Sequence, residues 1–175
     1  IKQHTMSERT GLVTFVGKPV TLTGNEIKVG DKAPDFTGIN QNLEPVSLSS
    51  FKGKTVVVAI YPSIDTGVCQ KQNRKFNEVA NSMKDVVVLS VSLDLPFAQK
   101  RFCLAEGLES IVTLSDHKER EFGNKYGFLI KELALLARGT VIIDKEGTVQ
   151  LVEIVPEIAT EPDYDTALSL LEKLK

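Results

Sequence analysis

Apolar positions along the chain change period several times, and each change marks an element. The unbroken run Val56-Val57-Val58-Ala59-Ile60-Tyr61 reads as a buried strand over 55–61. Phe76, Val79, Ala80 and Met83 then recur at helical spacing and predict a helix over 66–83. Further strands are expected over 86–93, 111–114, 139–144 and 148–155, the last two joined as a hairpin through Lys145-Glu146-Gly147. Further helices are expected over 96–106, 118–125 and 163–174. In the last, Tyr164, Ala167, Leu168, Leu171 and Leu174 share one face behind an Asp163 cap. Upstream, Val13-Thr14-Phe15 and Val20-Thr21-Leu22 flank Gly17-Lys18-Pro19, the pattern of an N-terminal β-hairpin. Strand–helix alternation that closes with a hairpin and a helix predicts an α/β fold, a central mixed β-sheet flanked by helices.

Composition narrows the function classes. A chain of 175 residues is long enough for one domain with a full core, expected over 11–175. Residues 1–10 are expected to be an unstructured or artificially added leader. With 21 basic and 23 acidic residues the net charge is −2, which gives neither nucleic acid nor an anionic membrane a reason to bind. No apolar stretch reaches the roughly 18–20 residues that span a bilayer. The N-terminus lacks a signal-peptide apolar region, and two cysteines are too few for a disulfide-stapled secreted scaffold. A cytoplasmic protein is therefore expected. His4 lies in the leader, His117 stands alone and no Cys-x-x-Cys occurs, so no metal site is expected. Nor is there a Gly-x-Gly-x-x-Gly or Walker pattern, and no nucleotide, flavin or haem cofactor is expected.

The chemistry concentrates at Pro62-Ser63-Ile64-Asp65-Thr66-Gly67-Val68-Cys69. This turn leaves a buried strand and enters a helix, so it delivers a thiol to the first helical turn. Backbone N–H groups there have no intrahelical partner, and the macrodipole adds about half a positive charge. A thiol so placed readily becomes a thiolate. Thr66 is the N-cap candidate and can also offer its hydroxyl; the backbone N–H groups of Cys69 and Val68 point to the same place. Pro62 both terminates the strand and shields the sulfur from water. Cys103, between Pro96 at a helix start and Gly107 at its stop, reads either as a small core residue or as a second thiol that captures oxidised Cys69.

The segments around both cysteines, with Leu114-Ser115-Asp116, Leu136-Ala137-Arg138, Val155-Pro156-Glu157-Ile158 and Glu161-Pro162-Asp163-Tyr164, resemble the thiol peroxidases, bacterial peroxiredoxins of the atypical two-cysteine type. The resemblance covers roughly residues 10–175. It implies a thioredoxin-like fold, usually a homodimer, and reduction of hydrogen peroxide and alkyl hydroperoxides with electrons from thioredoxin. It also implies that Cys69 is the peroxidatic cysteine, Cys103 the resolving cysteine and Arg138 the active-site arginine. From the residues alone, Arg138 reads as an ordinary arginine at a strand entrance. One departure stands out: the family usually has proline where this chain has Gly67.

Magnitudes say where catalysis must lie. Taking a thiol pKa from about 8.5 to about 6 raises the thiolate fraction at neutral pH only about thirteenfold, or roughly 1.5 kcal/mol. Enzymes commonly supply a million-fold or more. Most of the effect must come from donors that align the peroxide and stabilise the departing oxygen. Competing classes are a protein thiol–disulfide oxidoreductase, which usually carries Cys-x-x-Cys where this chain continues Gln70-Lys71-Gln72, a peroxide sensor built on the same site, and a binding module with two structural cysteines.

Overall fold

The computed structural model describes residues 7–175. The chain opens with β1 (Glu8–Phe15) and β2 (Lys18–Thr23), then β3 (Thr37–Ile39), β4 (Pro45–Ser47) and a short 3-10 turn at Leu48–Phe51. The central alternation follows: β5 (Thr55–Ile60), α1 (Gly67–Ser82), β6 (Val86–Ser92), α2 (Pro96–Glu106), β7 (Val112–Ser115) and α3 (Glu121–Tyr126). Last come β8 (Leu129–Ile130), β9 (Leu135–Leu136), β10 (Gly139–Ile143), β11 (Val149–Ile154) and α4 (Tyr164–Lys173). Seven strands form a mixed sheet in the order β11-β10-β5-β6-β7-β3-β4, with β5, β6 and β7 parallel and β10 antiparallel to β5. A second, four-stranded sheet runs β1-β2-β8-β9.

β5 is buried along its whole length because both faces of the main sheet are covered. Alternate residues serve opposite cores. Val56, Val58 and Ile60 pack with Phe36, Phe122, Phe128 and the small sheet's Val13 and Leu22. Val57, Ala59 and Tyr61 pack with Phe76 and Val79 of α1, Phe102 and Cys103 of α2, and Ala167 and Leu171 of α4. The topology thus puts α1, α2 and α4 on one face, and both cysteines within that one core. Among the described residues, no helix is long and apolar enough to cross a membrane.

Several sequence expectations need correction. β1 begins at Glu8, inside the leader expected to be unstructured, because Glu8 pairs with Thr23 and the Arg9 guanidinium bonds the Gly127 carbonyl. The expectation for residues 1–6 lies outside the described residues. The hairpin turn is Val16-Gly17, with φ of 49° and 78°, and Lys18 and Pro19 already belong to β2. α3 starts at Glu121, not 118, since the buried Asp116 carboxylate accepts the N–H groups of Phe122 (3.0 Å) and Gly123 (2.9 Å). The charged run 118–120 is therefore an exposed turn. The apolar segment 133–137 turns back into β9; Leu136 and Ala137 are buried and Leu133 alone stays exposed among its large side chains.

The entrance to β10 tolerates no side chain. A Cβ at Gly139 would lie 2.0 Å from the Glu153 carbonyl oxygen and 2.8 Å from a Phe128 ring carbon. Gly139→Ala is expected to destabilise the protein by about 1–3 kcal/mol or more, read as a lowered denaturant midpoint at unchanged m-value.

Candidate active site

Cys69 is the third residue of α1, after Gly67 and Val68, and Thr66 is the N-cap with φ −109° and ψ 148°. The helix starts here because the extended Thr66 follows a tight turn in which Thr66 N–H bonds the Ser63 carbonyl (3.3 Å). The Thr66 hydroxyl makes no capping bond; it donates to the same carbonyl at 3.2 Å. This corrects the expectation that the hydroxyl caps the helix, and it leaves the first-turn N–H groups free of a side-chain partner. Pro62 is buried at the end of β5, while Asp65, Thr66 and Gly67 are exposed.

The Cys69 sulfur is fully buried (0 % exposed) and accepts a hydrogen bond from Arg138 Nη2 at 3.2 Å. Arg138 lies just before β10, on the strand next to β5, and is 2 % exposed. Its other donors are held by protein acceptors. Nε bonds the Ile158 carbonyl (2.7 Å) and Nη1 bonds Gln72 Oε1 (2.8 Å). Gln72 is itself buried and donates through Nε2 to the Ile60 carbonyl at 3.1 Å. A buried cation is tolerable only with such hydrogen-bonded support. One guanidinium edge is therefore fixed at the sulfur, and the fork geometry of arginine is what allows three partners at once.

A second polar chain runs beneath the helix. Asn73 Nδ2 donates to the Cys69 carbonyl (2.9 Å), Asn73 Oδ1 accepts from Ser90, and Ser90 Oγ meets the Tyr61 hydroxyl at 2.9 Å. Asn73, Ser90 and Tyr61 are all buried, and burial pushes the Tyr61 phenol well above its usual range. Tyr61, Gln72, Asn73 and Ser90 were not singled out from the sequence as site residues. Gln72 and Asn73 read as surface polar residues of an amphipathic helix, and only their placement three and four residues after Cys69 hinted otherwise.

Cys103 lies on α2, 4 % exposed, and borders a surface cavity of about 400 Å³ shared with Asn40, Gln41, Leu108 and Thr113. Burial pushes its thiol up, partly offset by the Gln41 side chain. Both cysteines are free. The structure brings Cys69 and Arg138 into contact and sets Cys103 in the same core, on the neighbouring helix.

The Redoxin family matches residues 28–168. The thiol peroxidase of Oceanobacillus iheyensis is 50 % identical over 161 residues, covering 92 % of this chain and 98 % of that protein. The thiol peroxidase of Bacillus subtilis is 48 % identical over 162 residues, covering 93 % and 97 %. A solved structure of a peroxiredoxin-like protein from Aquifex aeolicus superposes with a TM-score of 0.89 at 42 % identity, covering 97 % of this chain and 99 % of that one.

Gly67 occupies the first helical position, meets nothing within 4 Å of an added Cβ, and follows a residue already in the extended conformation that precedes proline. Gly67→Pro is expected to stabilise the protein by about 0.4–1 kcal/mol, chiefly by restricting the unfolded chain. A thermal melt of the reduced protein checks this.

Proposed function

The chain belongs to the Redoxin family and is a thiol-dependent peroxidase of the peroxiredoxin type, and from that premise we propose that Cys69 is its peroxidatic cysteine. The observation that carries this reading is the 3.2 Å contact between Arg138 Nη2 and the Cys69 sulfur in a site closed to water. The substrate is hydrogen peroxide or an alkyl hydroperoxide, which enters past the exposed turn 65–67. The Cys69 thiolate attacks the terminal peroxide oxygen. An S–O bond forms as the O–O bond breaks, and the displaced oxygen takes a proton and leaves as water or alcohol. Cys69 becomes a sulfenic acid.

Arg138 acts on the charge that builds on the departing oxygen, where a fixed cationic donor in a dry site is worth most. Thr66 contributes the extended backbone that opens the helix and leaves the N–H groups of Val68 and Cys69 available to the peroxide. Pro62 keeps water from the sulfur. Gln72 holds Arg138 in place. Cys103 then condenses with the sulfenic acid, releasing water and forming an intramolecular disulfide. Burial of both sulfurs, on adjoining helices, requires a local opening of the first turn of α1 or the end of α2 for that step. A dithiol protein, thioredoxin, reduces the bond by exchange and is itself oxidised to a disulfide. Leu95, Phe97 and Leu104, 52 %, 66 % and 72 % exposed at the start and along the Cys103 helix, support a protein partner for this helix, either thioredoxin or the second subunit of a homodimer.

Cys69→Ser is expected to abolish peroxide consumption. Cys103→Ser is expected to keep one rapid oxidation per chain but lose thioredoxin-driven turnover. Rapid-quench thiol counting, followed by a coupled thioredoxin assay, measures both, and Cys69→Ser that still consumed peroxide would sink the assignment. Arg138→Ala is expected to slow the first oxidation by about 10²–10³-fold. Gln72→Leu, which strands one guanidinium donor, should slow it by a smaller factor at unchanged stoichiometry, checked by the rate of sulfenic acid formation.

A further inference from the structure

The turn that delivers Cys69 and the turn that starts α2 meet at one carboxylate. Asp94 lies between β6 and α2. Its Oδ1 accepts the Ser63 hydroxyl at 3.0 Å, and its Oδ2 accepts the Ile64 N–H at 2.7 Å and the Ser92 hydroxyl at 2.6 Å. Ser63 in turn anchors the rest of the Cys69 turn: its hydroxyl accepts the Asp65 N–H at 3.2 Å, and its carbonyl accepts both the N–H and the hydroxyl of Thr66.

On the other side, Asp94 is locked to the α2 end of the sheet. Its carbonyl accepts the Ser115 hydroxyl, whose oxygen also meets His117 Nδ1 at 2.8 Å. The Ser92 oxygen accepts Gln99 Nε2 of α2 at 3.1 Å, and Gln99 also bonds the Leu114 carbonyl at 3.2 Å. Ser92, Gln99 and Ser115 are all buried. The carboxylate is thus a fixed post to which a turn without regular structure is tied by two charge-assisted bonds.

We propose that Asp94 is a positioning residue that ties the Cys69 turn to the start of the Cys103 helix, holding the sulfur against Arg138 for peroxide attack and releasing it for disulfide closure. The proposal rests on the peroxidase reading above. The two steps need opposite things from this tie. Attack needs the first turn of α1 held closed, and closure of the disulfide needs two buried sulfurs freed to meet. An intact tie favours the first step and restrains the second. The exposed ion pair between Arg101 and Asp65 (2.7 Å) bridges the same two segments, but two exposed charges hold them weakly.

The experiment is single-turnover rapid quench of the reduced protein with hydrogen peroxide. Sulfenic acid is trapped with a dione, the disulfide is counted by mass spectrometry, and both are followed in the wild type and in Asp94→Ala. Asp94→Ala is expected to slow sulfenic acid formation by about tenfold or more and to speed conversion of sulfenic acid to disulfide severalfold. Asp94→Asn, which keeps one acceptor oxygen for the Ile64 N–H, should fall between the two. Ser63→Ala, which keeps the carboxylate, should move both steps in the same opposed directions by less, and serves if Asp94→Ala does not fold. Asp65→Ala should leave both steps within about twofold. Steps that change in the same direction, or not at all, in Asp94→Ala and Ser63→Ala would overturn the proposal while leaving the peroxidase reading intact. A wild type that kept both thiols after peroxide would overturn that reading, and the tie with it.

Discussion

A buried arginine whose guanidinium is held at each of its three nitrogens is the constraint on which this structure turns. Arg138 cannot sit inside the protein without acceptors for its guanidinium, and the three it finds come from three separate pieces of chain. Ile158 supplies one from the segment after β11, Gln72 another from α1, and the third is the sulfur of Cys69. Removing a partner would leave a buried guanidinium N–H unsatisfied, which costs about 1–3 kcal/mol. The cation therefore pins the helix carrying the sulfur to the strand carrying the arginine, and stability and chemistry use the same contact.

The surrounding fold makes that contact possible. β5 and β10 are adjacent and antiparallel, so the end of the one and the beginning of the other fall at the same edge of the sheet, with Gly139 paired to Ile60. The absence of a side chain at Gly139 lets this edge pack closely against the Glu153 carbonyl and the Phe128 ring. α1 then lays Gln72 onto that end of the sheet, where the buried Ile60 carbonyl needs a partner.

Much of this was legible in the sequence wherever an element is long and its period clear. β5, α1, α2 and α4 appear within a residue or two of their expected limits, because unbroken apolar runs, helical spacing, Pro96 and Gly107 act locally. The reach of Cys69 to the third position of a helix was legible for the same reason. β8 and β9 were not, since two residues each are too few to carry a period. The start of α3 depended on a carboxylate at Asp116 several residues upstream. Gln72, Asn73 and Ser90 were hidden because a polar residue buried by tertiary contact looks, in sequence, like one turned to solvent. Thr66 has the backbone of a cap, yet its hydroxyl donates to the Ser63 carbonyl and accepts no first-turn N–H.

The complete burial of the Cys69 sulfur has a further meaning. A nucleophile with no surface of its own acts as a sieve. Bulky electrophiles such as alkylating reagents and protein disulfides meet the exposed turn 65–67 before they meet the sulfur. What gains entry is decided by breadth before reactivity, and a two-oxygen molecule is about as slender as a polar guest can be.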